Sequence, residues 1–222
     1  MNKPFLSPQD IRQALDFRTA VRVYSERKIP KADLATILDS AWLAPSSIGL
    51  EPWRFVVLEN PEIKAAIKPY AWGAQTQLET ASHFVLLIAS KDVRYDSDNV
   101  YQSLVRRGLT DELTIQQRLA RYEDFQKKDQ GIAESTHELW QWSAKQTYIA
   151  LGNMMMTASL LGIDSCPIEG FHYESVNRVL AEYQVLDPET EGISVMLSLG
   201  YRAEEPKHRR SRKDRKDVIF WK

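Results

Sequence analysis

Four short segments of the 222-residue chain concentrate side chains that could hold or process a polar ligand. Arg18-Thr19-Ala20-Val21-Arg22 sets two guanidiniums four residues apart with a hydroxyl between them. Arginine forks bind phosphate oxygens bidentately, so the segment suits a terminal phosphate, although a solvated surface pair reads the same way. Ala44 to Trp53 (A-P-S-S-I-G-L-E-P-W) places Ser46, Ser47 and Gly49 between Pro45 and Pro52. That is a tight, donor-rich loop that either meets a polar ligand or caps the preceding helix. Pro167-Ile168-Glu169-Gly170-Phe171 is a turn whose glycine lets backbone approach a ligand closely. Lys207 to Lys216 (K-H-R-R-S-R-K-D-R-K) is an exposed basic turn in its plainest reading. Its sharper readings are phosphate anchoring by Arg210 and Arg212, or weak nucleic-acid binding.

The missing chemistry narrows the choice. The chain contains no H-E-x-x-H, G-x-S-x-G, C-x-x-C, G-x-x-x-x-G-K-[ST] or G-x-G-x-x-G pattern. With four histidines and one cysteine, a dedicated zinc site is not expected. Cys166 reads as a small buried apolar residue rather than a nucleophile. Catalysis would then belong to a bound cofactor, with the protein supplying position and charge.

The elements that must position these segments follow from periodicity. Ser7-Pro8-Gln9-Asp10 starts a helix, with Ser as N-cap and Pro at the first position, running to about Phe17. After Ile29-Pro30, the residues Leu34, Ile37, Leu38, Ala41 and Trp42 repeat at helical spacing until Pro45. Arg54–Leu58, His83–Ser90 and Ile193–Gly200 read as strands, the second apolar on both faces and therefore buried. Asn60-Pro61 caps a helix to about Lys68, and Glu174–Tyr183 is another helix. Residues 93–135 are polar and read as an exposed helical excursion. Trp140–Gly162 is a long helix apolar around most of its girth, so it is either the centre of a monomer core or a face against a second copy. Helices and a few strands without βαβ regularity give an α+β fold in one domain spanning 1–222.

Composition sets the outer bounds. The net charge is −1 and hydrophobic residues make up 43%, which excludes intrinsic disorder and discourages a general polyanion binder. A single cysteine cannot form an internal disulfide, and no run reaches the ~20 apolar residues of a bilayer span. The start M-N-K-P-F-L-S-P-Q-D lacks the apolar run of a signal peptide. A cytoplasmic protein with neither membrane nor nucleic-acid partner is expected.

Taken in order, R-T-A-V-R, A-P-S-S-I-G-L-E-P-W-R-F-V-V, A-S-H-F-V-L-L, A-K-Q-x-Y-x-A-L-G-N, C-P-I-E-G-F and V-M-L-S-L-G-Y-R-A-E-E make the chain resemble the FMN-dependent nitroreductase family along nearly its whole length. The resemblance implies a central mixed or antiparallel sheet packed by helices, in an interlocked homodimer with FMN at the subunit interface. It also implies ping-pong hydride transfer from NADH or NADPH through flavin N5 to nitroaromatics, quinones or similar small electron acceptors. By motif matching, Arg18, Thr19, Ala20 and Arg22 would hold the FMN phosphate and ribityl chain, with Arg210 and Arg212 closing on the same phosphate. Pro45, Ser46, Ser47 and Gly49 would reach the flavin from the second subunit. Pro167, Ile168, Glu169 and Gly170 would run past the isoalloxazine, with the Gly170 amide near N5, and no side chain is assigned as catalytic. The chain departs from the family pattern at Glu51, where many members carry Gln, and at Ala74, where many carry Asn, while Gln77 keeps a polar group nearby. The substrate-gating residue falls within 109–135, where Tyr122 and Phe125 are candidates. Other reductions on the same fold, dehalogenation or enone reduction, remain alternatives, as does a nucleic-acid module built on 207–216.

Overall fold

The computed structural model describes residues 5–206 and 210–222. Its centre is a four-stranded, wholly antiparallel sheet in the order β1-β2-β4-β3, from β1 (Trp53–Val57), β2 (His83–Ser90), β3 (Asp164–Ile168) and β4 (Glu191–Gly200). The alternation of β2 decides the layering. Phe84, Leu86 and Ile88 face a core shared with α3 (Pro61–Ile67) and α8 (Tyr173–Glu182). Val85 and Leu87 face the opposite core, shared with α2 (Lys31–Trp42) and α7 (Thr136–Leu160). A strand loaded on both faces must read as a continuous apolar run, and H-F-V-L-L-I-A-S does. Pro167 is tolerated in β3 because β3 lies at the sheet edge. Where β2 meets β4 the register shifts after Leu87, which turns Ser194 toward α7, where its Oγ lies 2.8 Å from the Thr147 hydroxyl.

The first helix, α1 (Pro8–Phe17), carries the expected cap: Ser7 Oγ accepts from the Asp10 N–H, and the Asp10 carboxylate accepts from the Ser7 N–H. The first strand begins at Trp53, one residue earlier than the apolar run indicated. The polar stretch 93–135 forms α5 (Asp98–Arg106) and α6 (Glu112–Asp124), and α6 continues into a π-turn over Phe125–Asp129. A short helix, α4 (Gln77–Thr80), brings the count to eight among the described residues. The apolar girth of α7 divides between two environments. Ala150, Leu151, Met154 and Ala158 are buried against the sheet and α2, whereas Tyr148, Ile149 and Leu160 remain exposed.

Gly200 closes β4 beneath the ring of Tyr24, which is buried and held by its hydroxyl on Ser198. A Cβ at Gly200 would sit 2.6 Å from the Tyr24 ring, with nowhere for that ring to move. Gly200→Ala is therefore expected to cost about 1–3 kcal/mol, the usual overpacking range. Gly192→Ala, whose Cβ meets the half-buried and movable Tyr173 hydroxyl, should cost less. Denaturant midpoints of the two variants check the order.

Candidate functional site

The C-terminus of α1 gathers arginines from three parts of the chain. Arg18 is its C-cap and is half-buried. Arg210 Nη1 donates to Leu15 O at 2.5 Å and to Arg18 O at 2.9 Å, and its Nη2 lies 3.3 Å from the Asp16 carboxylate. Arg202 Nη2 donates to Phe17 O at 3.3 Å while its guanidinium stacks 4.7 Å from the Phe17 ring centroid. Carbonyls at a helix C-terminus lack intrahelical donors and carry the negative end of the dipole, so cations collect there. Arg202 is fixed in turn by Asp164, the first residue of β3 and 3% exposed, through contacts at 2.6 and 3.1 Å and a bond from its own N–H at 2.9 Å. The fork raises the Arg202 pKa further.

The cluster is cationic beyond its own pairing. Burial, then the charges of Arg210 and Arg212, pull the Arg18 pKa down from its usual value. Among the described residues no carboxylate pairs with Arg18, Arg22 or Arg212. Arg22 is exposed, with only a long 3.5 Å contact to Ala20 O. Thr19 lines a cleft of about 490 Å³ beside Arg202 and Arg210.

β3 carries the rest of the site. Ala20 bridges to Ser165, whose buried Oγ has no hydrogen-bond partner. Burial pushes the Cys166 thiol upward, and the nearby Arg22, Gln77 and Arg18 oppose that shift. Gln77 is buried and donates to Gly73 O at 2.9 Å. Ile168 turns its side chain into the core, which leaves only its backbone for a ligand. At the end of the strand Gly170 meets Gly73: Gly73 N donates to Gly170 O at 2.7 Å, and a Cβ on Gly170 would fall 2.9 Å from Gly73 Cα. Only glycine permits that approach. The Gly170 N–H has no protein acceptor among the described residues. Glu169 accepts from the Tyr148 hydroxyl at 2.5 Å and borders a cavity of about 970 Å³ walled by Trp140, Phe171 and Tyr173.

The structure places Arg18, Thr19 and Arg210 together at the end of α1 and Ala20 against Ser165, with Arg22, Gln77 and Arg212 near enough to act on the Cys166 or Arg18 charge and Pro167 to Gly170 leading away along β3. Pro45, Ser46, Ser47 and Gly49 stand apart. Their loop contacts α7 and α5, with Ser47 N donating to Gln146 Oε1 at 2.9 Å and Arg107 donating to Ile48 O at 2.8 Å. Glu51 is exposed and its N–H donates to Ser46 Oγ at 2.8 Å, while Ala74 is fully buried, so neither departure presents a side chain to the cleft. Of the gating candidates, Tyr122 accepts from Arg107 at 2.9 Å and Phe125 packs on Trp142. Residues 207–209 of the basic segment lie outside the described residues. Sequence reasoning missed the Asp164–Arg202 pair, whose members are separated by 38 positions and belong to no recognisable motif.

An antiparallel α+β sandwich whose first helix ends in a group of arginines defines the class of the fold and its candidate site. Comparison makes it particular: the nitroreductase family profile matches residues 15–201. A candidate NAD(P)H nitroreductase of Staphylococcus epidermidis is 48% identical over 214 residues, which is 96% of this chain and 97% of that protein. The chain belongs to the nitroreductase family, a family of oxidoreductases. The fold is shared with a candidate nitroreductase from Exiguobacterium sibiricum solved in complex with FMN, at 24% identity and TM-score 0.73 over 98% of this chain and 99% of that one. It is shared also with CLA-ER, an enone reductase of gut-bacterial fatty acid saturation, at 22% identity and TM-score 0.77 over 97% and 99%.

Removing the carboxylate beneath the cluster should be costly. Asp164→Ala is expected to destabilise by about 3 kcal/mol, the low end for breaking a buried pair, because Arg202 keeps 17% of its side chain in solvent. Urea unfolding of the purified variant measures it.

Proposed function

We propose that this protein is an FMN-dependent oxidoreductase, acting as a homodimer, that passes hydride from NADH or NADPH to small planar acceptors such as nitroaromatics and quinones in alternating half-reactions. The observation that carries the reading is the guanidinium cluster at α1, in which Arg18, Arg22 and Arg212 have no carboxylate partners among the described residues. A phosphate monoester of nearly two negative charges supplies what those groups lack.

Bound FMN supplies the hydride chemistry, and the protein's own groups supply position and charge. Arg18, Arg22 and Arg212 would hold the phosphate, with Arg210 fixing the end of α1 against them. Thr19, Ala20 and Gln77 would border the ribityl chain. The Gly170 N–H is the donor available to flavin N5, where a hydrogen bond stabilises charge on the reduced ring. Pro167, Ile168 and Glu169 bring that amide into place. The loop carrying Pro45, Ser46, Ser47 and Gly49 would complete the site from the second subunit. The aromatic walls beside Glu169 suit flat acceptors. A second reading, reduction of an unsaturated carbonyl, is favoured by the fold shared with an enone reductase. The nucleic-acid reading loses support because Arg210 is turned inward onto α1.

Purified protein is expected to be yellow, with about one FMN per chain, and to oxidise NADH or NADPH when a quinone is added. Parallel turnover of a quinone, a nitroaromatic and an enone ranks the acceptors. Colourless protein that refuses added FMN would sink the reading. Arg22→Ala should weaken FMN binding about 10- to 100-fold, since charge-assisted hydrogen bonds contribute roughly 1.5–3 kcal/mol. Riboflavin, lacking the phosphate, should lose far less; equal losses would move Arg22 from ligand binding to fold support.

The dimer has its own support in exposed apolar side chains: Trp42 and Leu43 at the end of α2, Tyr148 and Ile149 on α7, and Val218 to Trp221 at the tail. Sedimentation at micromolar concentration should give a dimer, as obligate interfaces above ~2,000 Å² do. A folded, flavin-loaded monomer would refute it.

A further inference from the structure

The loop between α2 and β1 is backbone in an unfavourable region. Ile48 has φ 51°, Gly49 φ 64° and Glu51 φ 53°. Glycine takes such angles freely, but a β-branched isoleucine there is a genuine outlier that the surroundings must enforce. Three side chains do so. Ser46 Oγ accepts from Glu51 N at 2.8 Å, Gln146 Oε1 accepts from Ser47 N at 2.9 Å, and Arg107 Nη1 donates to Ile48 O at 2.8 Å.

Arg107 differs from the other two in what else it holds. Its Nε donates to Ser103 O at 3.2 Å, one turn back on α5, and its Nη2 donates to the Tyr122 hydroxyl of α6 at 2.9 Å. The guanidinium lies across Gly49, where any Cβ would come within 3.2 Å of Nη1. One planar group therefore joins the end of α5, the strained carbonyl and α6. A lysine, with its three donors on one nitrogen, could not span all of these acceptors. Its far anchor, α6, has Ile115 as its one fully buried residue, so that helix undocks more readily than the core.

We propose that Arg107 is a positioning residue for the flavin site: it holds the Ile48–Glu51 turn in the shape that lets Ser46, Ser47 and Gly49 meet the flavin of the second subunit. Through Tyr122 it also makes that shape depend on the docking of α6. This rests on the reading that the loop faces FMN. The segment suited to gating the acceptor is then mechanically tied to a segment that binds the cofactor.

The test uses the full-length, FMN-supplemented protein with Arg107→Ala, Arg107→Lys, Tyr122→Phe and the Arg107→Ala/Tyr122→Phe double variant. Amide hydrogen exchange in the peptide spanning 46–51 and the FMN dissociation constant from released-flavin fluorescence are the two readouts. Arg107 is exposed and lies away from the sheet core, so its variants should remain folded, as circular dichroism will report. Loss of a charged hydrogen bond should raise loop exchange about tenfold and weaken FMN binding by about threefold to thirtyfold in both Arg107 variants. Tyr122→Phe should shift both readouts in the same direction by less, and the double variant should match Arg107→Ala alone. Loop exchange unchanged in Arg107→Ala overturns the proposal, as does a loosened loop with unchanged FMN affinity. Wild-type protein that binds no FMN overturns the flavin reading instead, and removes the cofactor role proposed for Arg107 with it.

Discussion

The negative end of α1 is the feature on which the site depends. Like-charged guanidiniums repel, and bringing Arg202 and Arg210 up to Arg18, which the chain itself places at the helix end, requires something that attracts them. The exposed carbonyls of Leu15, Phe17 and Arg18 do this, reinforced by the helix dipole. Buried Asp164 then locks Arg202 in register with β3, so helix and strand cannot slide apart. Neutralisation is incomplete, and this is the useful part. A cluster with every cation paired would be a structural knot, whereas one with unpaired forks remains a site for an anion.

β3 translates that anchor into a line. Over a few residues it carries the Asp164 clamp, the unpartnered Ser165 hydroxyl beside Ala20, the Cys166 thiol beside Gln77, and then the turn to Gly170. An edge strand suits this role, because one side pairs with β4 while the other is open to ligand and loops. Pro167, which an inner strand would reject, sits in register one residue before the strand ends at Ile168 and the turn begins. The Gly73–Gly170 contact fixes the far end of the line by backbone alone, which holds the Gly170 amide more rigidly than a rotatable side chain could be held.

What was legible in the sequence was local. The Ser7/Asp10 cap, the proline-bounded α2, the two-faced apolar run of β2 and the arginine pairs are all properties of neighbouring residues. What was not legible depends on pairs distant in sequence. Asp164 and Arg202 carry no mutual signal until β3 and β4 lie side by side. The inward turn of Arg210 could not be told from solvent exposure, because K-H-R-R-S-R reads as a surface whichever way it folds. Ile48 in a left-handed conformation contradicts local propensity outright; the glycine beside it marked a turn but not one shared with a β-branched neighbour. The girth of α7 signalled burial on most sides, within a monomer core or against a second copy, and one chain covers only part of it.

The titratable groups around the cleft explain why the chemistry must be borrowed. General acids and bases work best with pKa values near the operating pH, and enzymes shift side chains toward that point. Here the shifts run the other way. Burial pushes the Cys166 thiol above its ordinary value, and burial raises the Tyr24 phenol as well. Tyr148 is raised by burial and then by its bond to Glu169, so it too keeps its proton. Arg18 is lowered, but from so far above neutrality that it remains a cation in service of binding. The Cys166, Tyr24 and Tyr148 groups keep their protons and Arg18 its charge across the neutral range, so none of these four is tuned as a proton shuttle. The site offers instead fixed guanidiniums, a rigid amide donor and space. Those are the properties that serve a reaction whose electrons travel on a bound group, and they make the placement of that group, rather than the reactivity of any side chain, the quantity under structural control.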